Sequence, residues 1–297
     1  MLLGDIVDIE GWPGVGELFV PFDGGVVATT RVGRELRHLV RTAVRAAAGP
    51  GIDVSWELPA VVPARVAERA DYLATFPHLL GAVRSFAGSR RDHLPLLRAV
   101  RDGDDWGGLL DGTGLVLPAA ACHGVYDRLA DSSLDGGFRA EVSARCFRHE
   151  ATREATRFQS FEMVEIVGVG PDDEVAAFAA EGLEAAGSVL HALGLDATAE
   201  TAHDPFFGPA AALLVAEQQK TDAKTELVVT GPGGPFAVAS VNRHGDHFGK
   251  AFAIDVAGAP ASSACVAFGI ERLLLALAAS DAPASRTLLE RARTAAG

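Results

Sequence analysis

The alternation of apolar and polar positions divides the chain into helical and strand-rich stretches. Residues 31–48 carry Val32, Leu36, Leu39, Val40, Val44 and Ala47 at helical spacing, and the other face carries Arg34, Arg37, Arg41 and Arg45. Ahead of them, residues 17–30 alternate loosely around Asp23-Gly24-Gly25, a hairpin signal. Pro59 and Pro63 break the next stretch, and residues 64–87 again read as helical, interrupted at Pro77. From Leu115 the pattern shifts toward strands, predicted at residues 115–117, 140–147 and 161–169. Residues 174–193 predict a long alanine-rich helix ended by Gly194. Strands at 226–229 and 236–241 flank the turn Gly231-Pro232-Gly233-Gly234-Pro235, residues 251–256 are expected to continue the sheet, and 270–279 predict a helix. Strands in runs with grouped helices predict an α+β fold, not a doubly wound parallel sheet.

Composition narrows the class. A chain of 297 residues, 48% apolar and 22% charged, suits a single globular domain, expected here over 1–297. The longest apolar candidate for a membrane span, residues 264–279, is broken by Glu271 and Arg272. The acidic start lacks the cationic stretch of a secretory leader, and Cys122, Cys146 and Cys265 are too widely spaced for a disulfide framework; both point to the cytoplasm. A net charge of −13 argues against broad nucleic-acid binding.

Two segments carry candidate chemistry. In Cys146-Phe147-Arg148-His149-Glu150, a strand would place Arg148 and Glu150 on one face, with Arg157 and Phe158 able to close over the same ligand. A planar cation beside a carboxylate suits a nucleotide, and it also suits an ordinary cross-strand ion pair. In Ala267-Phe268-Gly269-Ile270-Glu271-Arg272, a strand turns into a helix at Gly269, with Arg272 in the first turn. That arrangement fits a phosphate site or a plain helix start.

Taken together, these segments resemble motifs 2 and 3 of class II aminoacyl-tRNA synthetases. More narrowly, the chain resembles the amino acid:[carrier protein] ligases, truncated relatives of atypical, archaeal-type seryl-tRNA synthetases. The supporting strings are residues 71–81 (DYLATFPHLLG), 117–122 (LPAAAC), 146–150 (CFRHE), 204–208 (DPFFG), 246–249 (DHFG) and 264–272 (ACVAFGIER), in the family's order.

The resemblance implies a class II core, an antiparallel sheet flanked by helices, and ATP-dependent activation of a small amino acid, glycine or alanine favoured. The aminoacyl group would pass from its adenylate to the phosphopantetheine thiol of a carrier protein. It implies zinc on Cys122, Glu165 and Cys265, with Glu165 also meeting the substrate, and magnesium accompanying ATP. Cys146 receives no family role and is expected to pack beneath the sheet. Arg148 and Arg272 are the implied catalytic groups. ATP contacts carry over onto Arg148, Glu150, Arg157, Phe158 and Arg272, and further onto Lys224, Ala239, Ser240, Val241 and Asn242. Glu162 and Val164 depart from the basic residues expected there. The resemblance also implies a homodimer built on residues 72–86, and a helix at 174–193 that docks the carrier. The arginine row of residues 34–45 is a second docking candidate for an acidic carrier, or else a solvated helix face enriched in arginine by genome composition. Two rival readings are tRNA aminoacylation with a separate tRNA-binding partner and a catalytically inactive amino-acid-binding regulator.

Overall fold

The computed structural model describes residues 11–297 apart from 23, 47, 50 and 150–153. The acidic start, Asp23, Ala47 and Glu150 lie outside the described residues. The hairpin signal becomes paired strands at Phe19–Phe22 and Val26–Thr29. The first long helix, α1 (Arg31–Ala46), opens at Thr30, whose hydroxyl accepts from the Gly33 N–H at 3.1 Å. It buries Leu36, Val40 and Val44 and leads to β1 (Val54–Glu57).

The predicted helix at 64–87 is not continuous. Helix Ala64–Arg69 stops before Asp71, whose left-handed backbone (φ 53°) breaks the helical path. Only Tyr72–Thr75 resumes it, and beyond Pro77 the chain forms strand Ala82–Ser85 of a small sheet. Next come α2 (His93–Asp102) and α3 (Cys122–Leu129), neither foreseen. The hairpin of β2 (Phe138–Phe147) and β3 (Ser160–Gly170) follows. Helix α4 (Asp172–Ala192) begins with three acidic residues, which suit the positive end of its dipole. It ends before Gly194, whose φ of 81° a side chain would resist. The chain continues through β4 (Thr198–Thr201), α5 (Ala211–Lys220), β5 (Lys224–Gly231) and β6 (Gly234–Gly245).

Residues 251–256 do not extend the main sheet. Helix α6 (His247–Phe252) takes their first part, and Ile254–Val256 joins a separate three-stranded sheet. Gly249 explains why α6 fits where it does: a Cβ there would collide with the Ala261 carbonyl. The chain closes with β7 (Ser262–Gly269), α7 (Ile270–Ala279) and α8 (Pro283–Ala296).

The main sheet runs β4-β5-β6-β7-β3-β2-β1, antiparallel throughout except for the β2–β1 pair, which is parallel. Alternation assigns its two faces. Val164, Ile166, Val266, Phe268, Val241 and Leu227 face one way and form the larger core with α1, α4, α7 and α8. Ala140, Val142, Cys146, Val167 and Cys265 face the other way, into a core shared with α3 and α6. Cys146 is fully buried there, and burial pushes its thiol well above the ordinary value. The second face also floors a large cavity. This is the α+β, class II synthetase-like architecture: a mostly antiparallel sheet between helical layers. No helix among the described residues is long and apolar enough to cross a membrane.

Candidate active site

On the second face, antiparallel registry brings β3 and β7 side by side. Glu165 opposes Ala267 and Cys265 opposes Val167, so Glu165 and Cys265 are diagonal neighbours on one face. Helix α3 presents its first residue, Cys122, to the same point. Cys122 Sγ, Cys265 Sγ and a Glu165 carboxylate oxygen lie within 4.8 Å of one another, all buried. Backbone N–H groups of Ala121 and Cys122 donate to Glu165 Oε1, at 2.6 and 3.2 Å. Asn242 Nδ2 lies 3.5 Å from Cys265 Sγ.

The chemistry of this donor set fits a divalent cation. The Cys122 thiol, which donates to Cys265 and is buried beside Glu165, is pushed well above its ordinary value. Cys265 is raised as well: the bond from Cys122 opposes the rise, but burial and Glu165 outweigh it. Two buried sulfurs against a carboxylate are an environment that a bound metal ion would neutralise. Tetrahedral zinc, at about 2.3 Å from sulfur and 2.0–2.2 Å from carboxylate oxygen, places its ligand atoms within this spread and leaves one position open.

The cavity above this cluster measures about 410 Å³. Around it stand Cys122, Arg148, Arg157, Phe158, Glu165, Lys224, Ala239, Ser240, Asn242, Cys265 and Arg272. Val241 does not line it: alternation turns Val241 into the larger core, to which Ala239 on the same face of β6 also belongs. Arg148 follows the end of β2 instead of lying within it. Its Nε donates to the Ala119 carbonyl at 3.2 Å, and its guanidinium lies 5.5 Å from the Phe161 ring centre. Arg272, in the first turn of α7, donates to the carbonyls of Thr156 and Ala237 at 2.7 and 3.1 Å. Arg157 pairs with Glu154 at 2.9 Å. Phe158 is buried against Phe19, edge to face, with little of its ring left to cover a ligand. Lys224 binds Asp204 at 2.7 Å and Glu226 at 3.1 Å.

The quoted strings meet in space. The His149 N–H donates to the Leu79 carbonyl, the Phe147 N–H to Pro118 and the Phe207 N–H to Thr75, while Phe76 stacks on Phe206 with centroids 5.2 Å apart. Two histidines at the cavity were not anticipated. Burial lowers His123 to about 4 and His244 to about 3, so both are neutral near pH 7. His123 directly follows Cys122, the one local signal available; His244 has none.

The two departures are resolved by sheet alternation. Glu162 and Val164 face the helices, opposite to Glu165 and the cavity. Val164 is core, and Glu162 Oε1 pairs with Arg41 Nε at 3.1 Å. The arginine row of α1 is therefore largely tied to carboxylates of the sheet and of α7. Arg37 lies 3.5 Å from Glu162 and 3.2 Å from Glu271, and Arg45 lies 2.6 Å from Glu141; of the four, Arg34 alone is exposed without such a pair.

No family model matches the sequence. Two curated proteins of Bradyrhizobium diazoefficiens are similar. Amino acid–[acyl-carrier-protein] ligase 2 is 34% identical over 258 residues, 85% of this chain and 77% of its own length. Ligase 1 is 36% identical over 224 residues, 74% of this chain and 69% of its own length. Among solved structures, the chain matches M. kandleri SerRS in complex with A. aeolicus tRNASec with a TM-score of 0.74 and 22% identity, covering 91% of this chain and 57% of that one. It matches seryl-tRNA synthetase from Pyrococcus horikoshii complexed with ATP with a TM-score of 0.66 and 14% identity, covering 98% and 61%. The chain thus spans little more than half of these synthetases, which establish the fold alone. Identity above 30% across more than two thirds of both curated proteins establishes more: the chain belongs to the amino acid–[acyl-carrier-protein] ligase family.

Proposed function

We propose that the protein activates a small amino acid with ATP and transfers the aminoacyl group to the phosphopantetheine thiol of a carrier protein. The observation that carries this reading is the convergence of Arg148 and Arg272, from segments more than a hundred residues apart, on a cavity floored by Cys122, Glu165 and Cys265. Family membership supports the reaction class.

The amino acid carboxylate attacks the α-phosphorus of ATP, forming a mixed anhydride as pyrophosphate leaves. Arg148 offsets the growing charge on the α-phosphate, Glu150 meets the adenine side, and Arg272 holds the γ-phosphate end of a bent ATP. Lys224, Arg157, Ser240 and Asn242 complete the walls, and magnesium accompanies the triphosphate. Cys122, Glu165 and Cys265 would hold zinc, which would supply a Lewis-acid position for the substrate α-amine. The carrier thiol then attacks the adenylate carbonyl, forming a thioester as AMP leaves, with no protein nucleophile. Glycine or alanine heads the substrate order, as the resemblance implies, with His123, Met163 and Phe248 among the residues that line the cavity.

The chain acts as one catalytic domain. Helix α4 is the candidate carrier-docking element: Val175, Phe178 and Leu190 fix it to the sheet, and its outer side shows Glu181 and Glu184. Those carboxylates call for a neutral or basic patch on the carrier. A homodimer is supported by two features. Residues 72–86, the segment the resemblance implies, hold helix Tyr72–Thr75 and strand Ala82–Ser85. Helix α2 buries no residue and exposes Leu94, Leu97 and Val100. A cytoplasmic location and the absence of a tRNA substrate complete the proposal.

Amino-acid-dependent ATP–pyrophosphate exchange across the twenty amino acids, with and without a zinc chelator, tests it. Chelator-sensitive exchange with one or two small amino acids is expected. No exchange from zinc-loaded protein would favour a nonstandard substrate or the regulatory reading, and retention of labelled amino acid on tRNA would favour the synthetase reading.

A further inference from the structure

His244 occupies an irregular place in β6. Arg243 pairs with Ala264 and Gly245 with Ser263, so His244 is an extra residue with no partner on β7. A bulge of this kind re-aims a side chain. The His244 ring lines the cavity, with Nε2 3.9 Å from Cys265 Sγ. Its Nδ1 lies 3.3 Å from the Tyr126 hydroxyl and 3.2 Å from the Ser263 hydroxyl. Phe248 holds the ring edge to face, with centroids 4.8 Å apart. On the same sulfur, Asn242 Nδ2 approaches to 3.5 Å while also reaching Ser240 Oγ at 3.1 Å.

Hydrogen-bond chemistry selects one tautomer. A neutral imidazole offers one donor and one acceptor. Beside a metal-bound thiolate, which only accepts, Nε2 would carry the proton toward sulfur and leave Nδ1 as the acceptor for one neighbouring hydroxyl. His244 does not join the ligand cluster itself. Among the described residues, only Cys122, Glu165 and Cys265 bring ligand atoms within 4.8 Å of one another.

We propose that His244, oriented by Tyr126 and Ser263, is a positioning residue for the Cys265 thiolate, donating through Nε2–H alongside Asn242. This deepens the zinc reading above and rests on it. The two donors draw charge from one sulfur and fix its direction, while the fourth metal position stays open for the substrate amine. Groups that orient a metal ligand in this way contribute about 10- to 100-fold to metal affinity.

The test uses the full-length protein loaded with zinc, and then with cobalt(II), whose sulfur-to-metal charge-transfer band reports on thiolate donation. His244→Phe keeps a ring against Phe248 but removes the donor; His244→Gln restores an N–H. Chelator competition is expected to show about 10- to 100-fold weaker zinc binding in the Phe variant, with most of the affinity recovered in the Gln variant. The cobalt band should move to lower energy in the Phe variant, because a thiolate without donors releases electrons more readily. Asn242→Ala, which removes the second donor, should move the band the same way and reads the effect independently if the Phe variant fails to fold. Unchanged affinity and band in the Phe variant, or an unmoved band in Asn242→Ala where that variant stands alone, would overturn the proposal. Loss of an imidazole scatterer from the zinc X-ray absorption spectrum of the Phe variant would overturn it in favour of direct ligation. A wild-type protein that binds neither ion would instead overturn the zinc reading, and this inference with it.

Discussion

Arg37 Nη2 lies 3.2 Å from Glu271 Oε1, joining helix α1 to the first turn of α7. Glu271 is 2% exposed and also accepts from Arg145 Nη1 and from the Glu162 N–H, both at 2.6 Å. Its neighbour in sequence, Arg272, turns toward the cavity and holds the Thr156 and Ala237 carbonyls. Two consecutive residues thus clamp the start of α7 to the β2–β3 hairpin on one side and to the connecting loop and β6 on the other. The charge network on the helix-facing side of the sheet adjoins an arginine on the cavity side.

Removing Arg37 is therefore expected to weaken the fold before it affects any partner. Loss of one member of a buried ion pair costs about 3–5 kcal/mol, and Arg37→Met should fall near the lower figure because Arg145 still pairs with Glu271. Urea unfolding measures this directly. In Arg37→Glu and Arg41→Glu, adenylation and acyl transfer should decline together. If pyrophosphate exchange stayed at the wild-type rate while transfer alone fell, the arginine row would regain its standing as a carrier-docking face.

The three cysteines should separate cleanly. Cys122→Ala and Cys265→Ala are expected to abolish stoichiometric zinc, measured by atomic emission. Exchange should then drop by about 100-fold or more, the equivalent of several kcal/mol of lost metal assistance. Cys146→Ala, from the core beneath β2, should keep its zinc and its exchange activity and lose only stability. Zinc retained in the Cys265 variant would contradict the ligand set.

Arg272→Ala is expected to lower kcat/KM for ATP in the exchange assay by about 100- to 1,000-fold, the range seen when one preorganised charge stabiliser is removed. Arg272→Lys should rescue little, since an ammonium cannot reproduce a fork that spans the Thr156 and Ala237 carbonyls. Near-complete rescue by lysine would reduce Arg272 to a simple positive charge.

Much of this architecture is legible in the chain itself. The 270–279 helix and the 140–147 and 161–169 strands emerge from apolar spacing because each is dominated by contacts with one or both cores. Elements set by close approach or backbone strain were hidden. The helix expected through residue 87 ends at the left-handed Asp71, and α6 exists because Gly249 lets it sit against Ala261. The cluster of Cys122, Glu165 and Cys265 has no local spacing signature, since its members come from a helix start and two strands; only the family resemblance pointed to it. The carboxylate partners of the α1 arginines were hidden for the same reason. Glu141, Glu162 and Glu271 lie about a hundred or more residues away, so a solvated face and a buried charge seam look alike in sequence.

The pairing of Asp204 with Lys224 makes stability depend on pH in a predictable direction. Burial alone would raise the Asp204 carboxyl, but Lys224 at 2.7 Å and the Gln218 amide at 2.8 Å hold it below its ordinary value of 3.8. The native state therefore releases this proton more readily than the unfolded chain does, and between the lowered value and 3.8 the unfolded chain binds more protons. The stabilisation is fully present above 3.8 and is lost as pH falls through the lowered value. Asp204→Asn should accordingly cost about 1.5–3 kcal/mol at neutral pH, the range for hydrogen bonds to charged groups. That cost should shrink toward zero in strong acid. Urea midpoints of the wild-type and Asn chains, taken from neutral pH down to about pH 2, should converge at the acid end. A gap that stays constant across the series would mean that Asp204 contributes through shape alone and that its pairing with Lys224 adds nothing to stability.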